Sequence, residues 1–98
     1  MTETSTLIAE QIKAIPKGKV STYGRVAKAA GFPNGARLTV WVLHSLSEKC
    51  GLPWHRVIRS DGTLALEGEG RKLQTLLLES EGVDVSEDGR VDLKHFGF

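Results

Sequence analysis

The chain has 98 residues, of which 40% are hydrophobic and 26% are charged, so we expect one small globular domain over residues 1–98. There is no apolar run of the roughly 18 residues that span a bilayer, and the N-terminus has no basic and apolar leader. Cys50 is the only cysteine, which rules out an internal disulfide and suits a reducing compartment. We therefore expect a cytoplasmic protein without membrane association. The net charge of +1 is unevenly distributed: residues 1–59 hold nine Lys/Arg against three Glu, and residues 60–98 hold four against nine acidic residues. A basic half beside an acidic half favours a polyanion as partner of the first half, although an uneven solvated surface would give the same pattern.

Apolar residues at helical spacing predict a first helix, which Pro16 should end. A second helix is expected after Ser21 or Thr22, either of which can cap it, and should close at Gly31. The apolar residues expected to face inward are Leu7, Ile8, Ile12 and Ile15 in the first helix, and Val26 with Ala29 or Ala30 in the second.

A third helix is expected over residues 35–46, with Asn34 as its N-cap. Two short helices around a turn that contains glycine form a helix-turn-helix, which commonly presents its second helix to DNA.

The remaining chain predicts two hairpins and one helix. The turn Ser60-Asp61-Gly62 would join strands 56–59 and 63–66, and Asp88-Gly89 would join strands 83–85 and 90–93. A fourth helix should bury Leu73, Leu76 and Leu77. The expected fold is therefore mainly α, a winged helix-turn-helix with one or two short β-hairpins.

The segment Pro53-Trp54-His55-Arg56-Val57 resembles the active-site Pro-Cys-His-Arg-Val of the O6-alkylguanine-DNA alkyltransferases, with tryptophan in place of the alkyl-accepting cysteine. Three further segments resemble the family in order and spacing: Ile15 to Gly24, Ala29 to Pro33 followed by Ala36-Arg37, and Leu77 to Gly82. Because an indole nitrogen has no free electron pair to attack an alkyl group, the chain is similar to the alkyltransferase-like members.

The resemblance implies a protein that is not an enzyme and that needs no metal or cofactor. It would bind double-stranded DNA containing O6-alkylguanine through the minor groove, as a monomer, flip the lesion into a pocket, and flag it for nucleotide excision repair proteins. The DNA-binding residues would be Ser21, Thr22, Tyr23, Ala36, Arg37 and Trp41; the lesion pocket would be formed by Tyr23, Pro53, Trp54, His55, Arg56 and Val57.

Each role has a structural alternative. Arg37 would be inserted into the vacated base stack, or it is a surface arginine on a phosphate or an ion pair. Tyr23 would crowd the phosphate beside the target, or it is a half-buried core residue. Trp54 would stack on the lesion, or it packs in the core. Without a thiol to activate, His55 and Arg56 are expected to act as scaffold, with Arg56 paired to Glu81.

Two departures bear on DNA affinity. The third helix carries bulky residues from Leu38 to Val42, so that Trp41 either wedges into a groove or obstructs binding, and the loop 64–69 is acidic. The alternatives in function are a winged helix-turn-helix regulator without lesion specificity and an enzyme, such as a transferase that uses Cys50. Neither His44 nor His95 has metal-ligand spacing with that cysteine.

Overall fold

The computed structural model describes residues 2–98, and over this range the protein is mainly helical, as predicted. The helices are α1 (Glu3–Lys13), α2 (Tyr23–Ala29), α3 (Ala36–Cys50), α4 (Gly68–Ser80) and α5 (Leu93–Phe96); a short 3₁₀ helix covers Trp54–Arg56; and two-residue strands form β1 (Ser21–Thr22) and β2 (Val57–Ile58).

Helix α1 follows its sequence pattern closely. The side chain of Thr2 accepts a hydrogen bond from the main-chain N–H of Ser5 and caps the first turn. The apolar stripe predicted for this helix is buried at Ile8, Ile12 and Ile15, whereas Leu7 remains 36% exposed. The stripe forms the floor of a core that lies beneath α2 and α3.

Helices α2 and α3 form the predicted helix-turn-helix. Thr22 is the cap of α2, because its hydroxyl accepts the N–H of Arg25 at 3.1 Å. Val26 is buried as predicted; its buried neighbour is Ala27, whereas Ala29 is exposed and Ala30 is only partly buried.

The prediction that Asn34 caps α3 was wrong. The N-cap is Gly35, which has no side chain to donate or accept. Its N–H bonds to the carbonyl of Phe32 at 2.9 Å, and a β-carbon at this position would lie 2.8 Å from that of Phe32, so the closeness of the turn selects glycine. The helix also runs four residues beyond the predicted end and stops at Gly51, where φ is +61°.

The predicted hairpin strands do not form. Val57 and Ile58 pair instead with β1, in parallel, with Ser21 opposite Val57 and Thr22 opposite Ile58. Both β2 residues are buried, and pairing with β1 satisfies main-chain groups that would otherwise lack partners there.

The two predicted turns are present but contact each other. The N–H of Arg59 bonds to the carbonyl of Thr63 and closes the first turn, and Thr63 then forms an antiparallel bridge with Arg90, next to the second. The bond from the Val91 N–H to the Gly62 carbonyl, at 2.8 Å, joins the two segments further. Each turn is therefore closed by one hydrogen bond between its own flanking residues, and the two turns then pair with each other instead of extending into hairpins.

Helix α4 turns a different face inward from the one predicted. Leu73 and Leu76 are 50% and 65% exposed and Leu77 is only partly buried, whereas Gln74 and Leu78 are buried. Leu78 packs in a second core with Val20, Ile58, Leu64, Val83 and Val91. The face is thus set by contacts that Leu78 and Gln74 make with distant segments.

The C-terminal segment forms a short helix that begins at Leu93, the last residue of the predicted strand 90–93. The side chain of Asp92 accepts the N–H of Lys94 and starts α5, and the chain then returns to Val20, whose carbonyl accepts the N–H of Phe98 at 2.7 Å. Within residues 2–98, no helix has both the length and the apolar character needed to cross a membrane.

Candidate nucleic-acid interface and cavity

The first half of α3 presents an exposed surface that combines one cation with large apolar groups. Ala36 and Arg37 are exposed in its first turn, and Leu38, Val40 and Trp41 are 38%, 37% and 57% exposed. A tryptophan exposed by more than half, with apolar neighbours, marks a contact surface more often than a free one. The predicted residues Ala36, Arg37 and Trp41 therefore lie on one accessible helix.

Ser21 and Thr22 are placed differently. Their residues are only 3% and 2% exposed, and the hydroxyl of Thr22 caps α2. In this conformation their side chains have almost no surface to offer to DNA, so any phosphate contact at the start of α2 would have to come from main-chain N–H groups.

Tyr23 connects the helix-turn-helix to a cavity. Its carbonyl accepts a hydrogen bond from the hydroxyl of Thr39 at 2.9 Å, which ties α2 to α3, and its ring is half-buried against the core. Burial raises the pKa of Tyr23, with the positive charge of Arg59 acting in the opposite direction. The hydroxyl therefore stays protonated at neutral pH and can donate a hydrogen bond.

A cavity of about 360 Å³ opens between α3 and the segment that carries Trp54. Its volume lies in the range of small-molecule sites, about 300–1,000 Å³. Of the predicted pocket residues, Tyr23, Trp54 and Val57 line it, and Pro53, His55 and Arg56 do not. Pro53 and His55 line a second, neighbouring depression that shares Trp54, and Arg56 lines neither.

Most of the cavity wall was missed by the sequence analysis. Helix α3 contributes one stripe at helical spacing, and the segments after β2 contribute two further residues. The lining residues that were not predicted are Val40, Leu43, His44, Ser47 and Glu48 from α3, together with Leu66 and Gln74. The stripe follows the i, i+3, i+4, i+7 pattern, so helical spacing was the available signal. It shows that α3 has two roles, with its start exposed and its later turns lining the cavity.

The predicted pair of Arg56 and Glu81 is confirmed. Arg56 donates from Nε and Nη2 to the two carboxylate oxygens at 2.9 and 2.7 Å, and from Nη1 to the carbonyl of Ile15 at 2.8 Å. His55 Nε2 donates to the same carboxylate at 2.9 Å. The side chains involved are only 10–13% exposed, so this network ties the 3₁₀ helix to the residues that directly follow α1 and α4.

These hydrogen bonds also determine the ionisation of Glu81. The bonds from Arg56 outweigh the opposing effect of burial and, with His55, lower the pKa of Glu81 from 4.5 to about 2. The carboxylate is therefore charged across the physiological range, and His55 is engaged by it rather than directed at the cavity.

Gln74 holds the other side of the Trp54 segment. Its Nε2 donates to the carbonyls of His55 at 3.1 Å and Val57 at 3.4 Å. It is 2% exposed and lies in the cavity wall. Nothing in its sequence neighbourhood marked it, because the leucines around it suggested a different buried face.

Cys50 does not belong to the cavity wall. It lies at the end of α3, partly buried against the core beneath the helix-turn-helix. Within residues 2–98, no group of three or more His, Cys, Asp or Glu is arranged to hold a metal ion.

Comparison with known proteins identifies the family to which this domain belongs. The family model described as the DNA-binding domain of 6-O-methylguanine DNA methyltransferase matches residues 3–83. The chain is 48% identical over 85 residues to a DNA base-flipping protein of Vibrio parahaemolyticus (87% of this chain, 85% of the relative). It is 39% identical over 87 residues to alkyltransferase-like protein 1 of Schizosaccharomyces pombe (87% and 81%).

Among solved structures, the chain resembles S. pombe Atl1 bound to damaged DNA that contains O6-carboxymethylguanine. The TM-score is 0.88 at 34% identity, over 100% of this chain and 96% of the other. The fold and the exposed start of α3 thus define a DNA-binding domain of the helix-turn-helix class. The chain belongs to the 6-O-methylguanine DNA methyltransferase family of DNA-binding domains, as an alkyltransferase-like member.

Proposed function

We propose that this protein is a non-enzymatic sensor of O6-alkylguanine in duplex DNA. It binds through the minor groove, rotates the damaged nucleotide out of the stack, and holds the base in the cavity beside Trp54. The observation that carries the proposal is the position of Trp54 in the wall of a cavity next to α3; the resemblance of residues 53–57 to the family motif implies that it takes the place of the alkyl acceptor.

The energies of flipping and stacking are of similar size. Extruding a base costs a few kcal/mol, and less when the base pairs poorly, as a damaged guanine does. Stacking on an aromatic side chain contributes about 1–3 kcal/mol per base. The Trp54 indole can therefore favour the extruded state for a lesion without doing so for intact DNA.

Residues on α2 and α3 support the steps before capture. Arg37, exposed in the first turn of α3, is suited to enter the vacated stack, where its planar guanidinium can stack and donate to the orphaned base. Tyr23, at the junction of α2 and the cavity, is suited to press on the adjacent phosphate. Trp41 extends the same surface and is suited to wedge into the groove.

The absence of alkyl transfer follows from the groups that line the cavity. Trp54 offers an N–H donor and an aromatic face, but no free electron pair. Cys50 lies against the core and outside the cavity wall, and His55 donates to Glu81. No thiol is therefore placed to accept an alkyl group from a base held in the cavity.

The protein would act in the cytoplasm as a monomer and pass the marked site to nucleotide excision repair proteins. The S. pombe relative was solved with a carboxymethylated guanine, which supports a range of O6 adducts larger than methyl for this cavity. The acidic residues of the second half are suited to face a protein partner, since they would repel DNA.

The test is binding to one duplex with and without a single O6-methylguanine, at fixed physiological ionic strength, followed by mass analysis of the protein and the DNA. We expect a clear preference for the modified duplex, unchanged masses, and loss of the preference in Arg37→Ala. Arg90→Ala, which removes an exposed arginine in the acidic half, is the matched control and should bind as wild type.

Equal weak binding to both duplexes would contradict the proposal and favour a regulator without lesion specificity. A methyl group that leaves the DNA and adds to the mass of the protein would instead identify an enzyme.

A further inference from the structure

The short parallel sheet places an exposed arginine beside Tyr23. Strands β1 and β2 are in register, with Thr22 opposite Ile58, and Tyr23 and Arg59 are the residues that directly follow the two strands. Paired strands lie about 4.8 Å apart, and in a parallel pair both leave the sheet at the same end. Tyr23 and Arg59 therefore start from neighbouring positions, and Tyr23 lines the cavity.

The main chain of Arg59 is fixed, whereas its side chain is exposed. Its N–H donates to the carbonyl of Thr63 at 3.0 Å, and its carbonyl accepts the N–H of Gly62 at 2.9 Å. Ile58, directly before it, is buried in the second core. The turn after β2 thus holds the base of this side chain in place, which lowers the entropy lost when the side chain binds a ligand.

The fold does not use the guanidinium of Arg59. In the part of the chain that the structure describes, the ion pairs involve other residues. Asp61, two positions away, accepts both the N–H and the hydroxyl of Thr63. Arg56, by contrast, is bound to Glu81. Arg59 is therefore a fixed positive charge that is free to meet an anion from outside.

The charge of Arg59 acts on the hydroxyl of Tyr23. Burial raises the pKa of this tyrosine, and the positive charge of Arg59 opposes that effect, which requires the guanidinium to lie near the phenol. Because burial has the larger effect, the hydroxyl keeps its proton. One edge of the cavity therefore offers two kinds of hydrogen-bond donor, a phenol O–H and a guanidinium.

A phosphodiester fits this pair of donors. A base that enters the cavity remains tied to its sugar, so the sugar and the flanking phosphates stay at the cavity mouth, where Tyr23 lies. A guanidinium can donate two parallel hydrogen bonds to phosphate oxygens, and these are stronger than bonds between neutral groups. The phenol O–H can donate to the same group.

We propose that Arg59 and the hydroxyl of Tyr23 bind one phosphodiester next to the extruded nucleotide. Arg59 thus acts on the DNA backbone, whereas Arg37 is suited to enter the base stack. The contact forms when the base is in the cavity, so it favours the extruded state over the stacked state. This inference rests on the proposed function, because it concerns the backbone of the nucleotide that the cavity receives.

The test neutralises single phosphates in a duplex with one O6-methylguanine. A methylphosphonate, in which a methyl group replaces the charged oxygen, is placed at either phosphate that flanks the lesion, or near one end of the duplex as reference. We expect one flanking methylphosphonate to weaken binding of wild type about tenfold, because it removes the charge from these hydrogen bonds. The reference position should weaken binding by less than about twofold.

Arg59→Ala should bind the O6-methylguanine duplex about tenfold more weakly than wild type, and the flanking methylphosphonate should then weaken it by less than about twofold further. Its loss on undamaged DNA should also be less than about twofold, because the phosphate is bound in the extruded state. Lys94→Ala is the matched control, since it removes an exposed cation in α5, outside the cavity wall; it should keep the wild-type affinity and the full response to the methylphosphonate.

The outcomes separate the two proposals. If wild type does not prefer the O6-methylguanine duplex to undamaged DNA, the proposed function fails. If the preference stands but the losses from Arg59→Ala and from the methylphosphonate multiply, the two groups do not meet and the role of Arg59 is overturned. Equal losses on damaged and undamaged DNA would also overturn it. The methylphosphonate series on wild type covers the case in which Arg59→Ala does not fold, because no effect at either flanking phosphate would contradict the contact.

Discussion

Replacing Glu81 by glutamine removes the charge that anchors the segment carrying Trp54. The carboxylate accepts three hydrogen bonds, from Arg56 Nε at 2.9 Å, Arg56 Nη2 at 2.7 Å and His55 Nε2 at 2.9 Å. A glutamine amide has one oxygen and directs an NH₂ group at a neighbouring donor. Glu81→Gln therefore leaves a nearly buried guanidinium without its counter-ion, and the acceptors that remain are the carbonyl of Ile15 and at most one amide oxygen.

Two considerations lead to a similar magnitude. Removing one partner of a buried ion pair costs about 3–5 kcal/mol. The fall in the pKa of Glu81 from 4.5 to about 2 corresponds to about 3 kcal/mol of stabilisation of the charged form, of which solvent contact at the edge of the site removes a part. We expect Glu81→Gln to lower the free energy of unfolding by about 2–3 kcal/mol at neutral pH, which lowers Tm by roughly 10–20 °C.

The effect has a defined pH dependence. Because the folded state lowers the pKa of Glu81, the carboxylate stabilises the protein fully above its ordinary pKa of 4.5, and this stabilisation is lost as the pH falls through about 2. The difference between wild type and Glu81→Gln should therefore shrink as the pH falls through that window and disappear only below it, where the wild-type residue is also neutral.

The assay is urea unfolding followed by tryptophan fluorescence, repeated from pH 7 down to the lowest pH at which the protein folds. Glu79→Gln is the matched control, because Glu79 lies two positions earlier, in the last turn of α4, and is exposed; it should change stability by less than about 0.5 kcal/mol. A loss below about 1 kcal/mol for Glu81→Gln at neutral pH, or a loss that does not depend on pH, would refute the assignment of this carboxylate as a buried anchor.

Three further predictions follow from exposure, backbone geometry and charge. Gly62→Ala should destabilise the fold by about 2 kcal/mol in thermal unfolding, because φ is +89° and the added carbon would lie 2.7 Å from a main-chain oxygen. Gly24→Ala is the control: Gly24 lies in α2 with open space around it, so the substitution should be neutral or slightly stabilising. Similar losses of stability in both variants would contradict the argument. Trp41→Ala should weaken binding to the lesion duplex severalfold and leave Tm within a few degrees of wild type, since the side chain is 57% exposed. Leu76→Ala, at 65% exposure on α4, should change neither DNA affinity nor Tm. If the Trp41→Ala variant bound the duplex as tightly as wild type, Trp41 would not belong to the interface. Glu48→Gln should raise affinity for an O6-carboxymethylguanine duplex relative to an O6-methylguanine duplex by a few fold, because it removes a negative charge from the cavity wall. This gain should diminish at high salt. An unchanged ratio of the two affinities at low salt would show that the carboxymethyl group does not approach Glu48.

Helices α1 to α3 could be predicted from the sequence because their signals are local. The apolar spacing of Ile8, Ile12 and Ile15 and the cap at Thr22 depend on residues within one or two turns of each other. The pairing of Arg56 with Glu81 spans 25 residues; it was available only through the resemblance to a known family, whose motif places both residues at one site.

Strand pairing could not be predicted in the same way. A turn signal such as Ser60-Asp61-Gly62 shows where the chain reverses, but it does not select the segment that a strand hydrogen-bonds to. Here β2 pairs with β1, more than thirty positions earlier in the chain, and the two turns meet each other through Thr63 and Arg90. These choices depend on how the helices bring distant segments together.

The sequence by itself determined the first three helices and the family, because these depend on local spacing and on motif identity. Only the tertiary structure decided which face of α4 turns inward. Periodicity shows which residues share a face but not which face meets the core; Leu78 in the second core and Gln74 on the carbonyls of His55 and Val57 rotate the helix away from the leucine stripe. That rotation exposes Leu73 and Leu76 and buries Gln74 against the segment that carries Trp54.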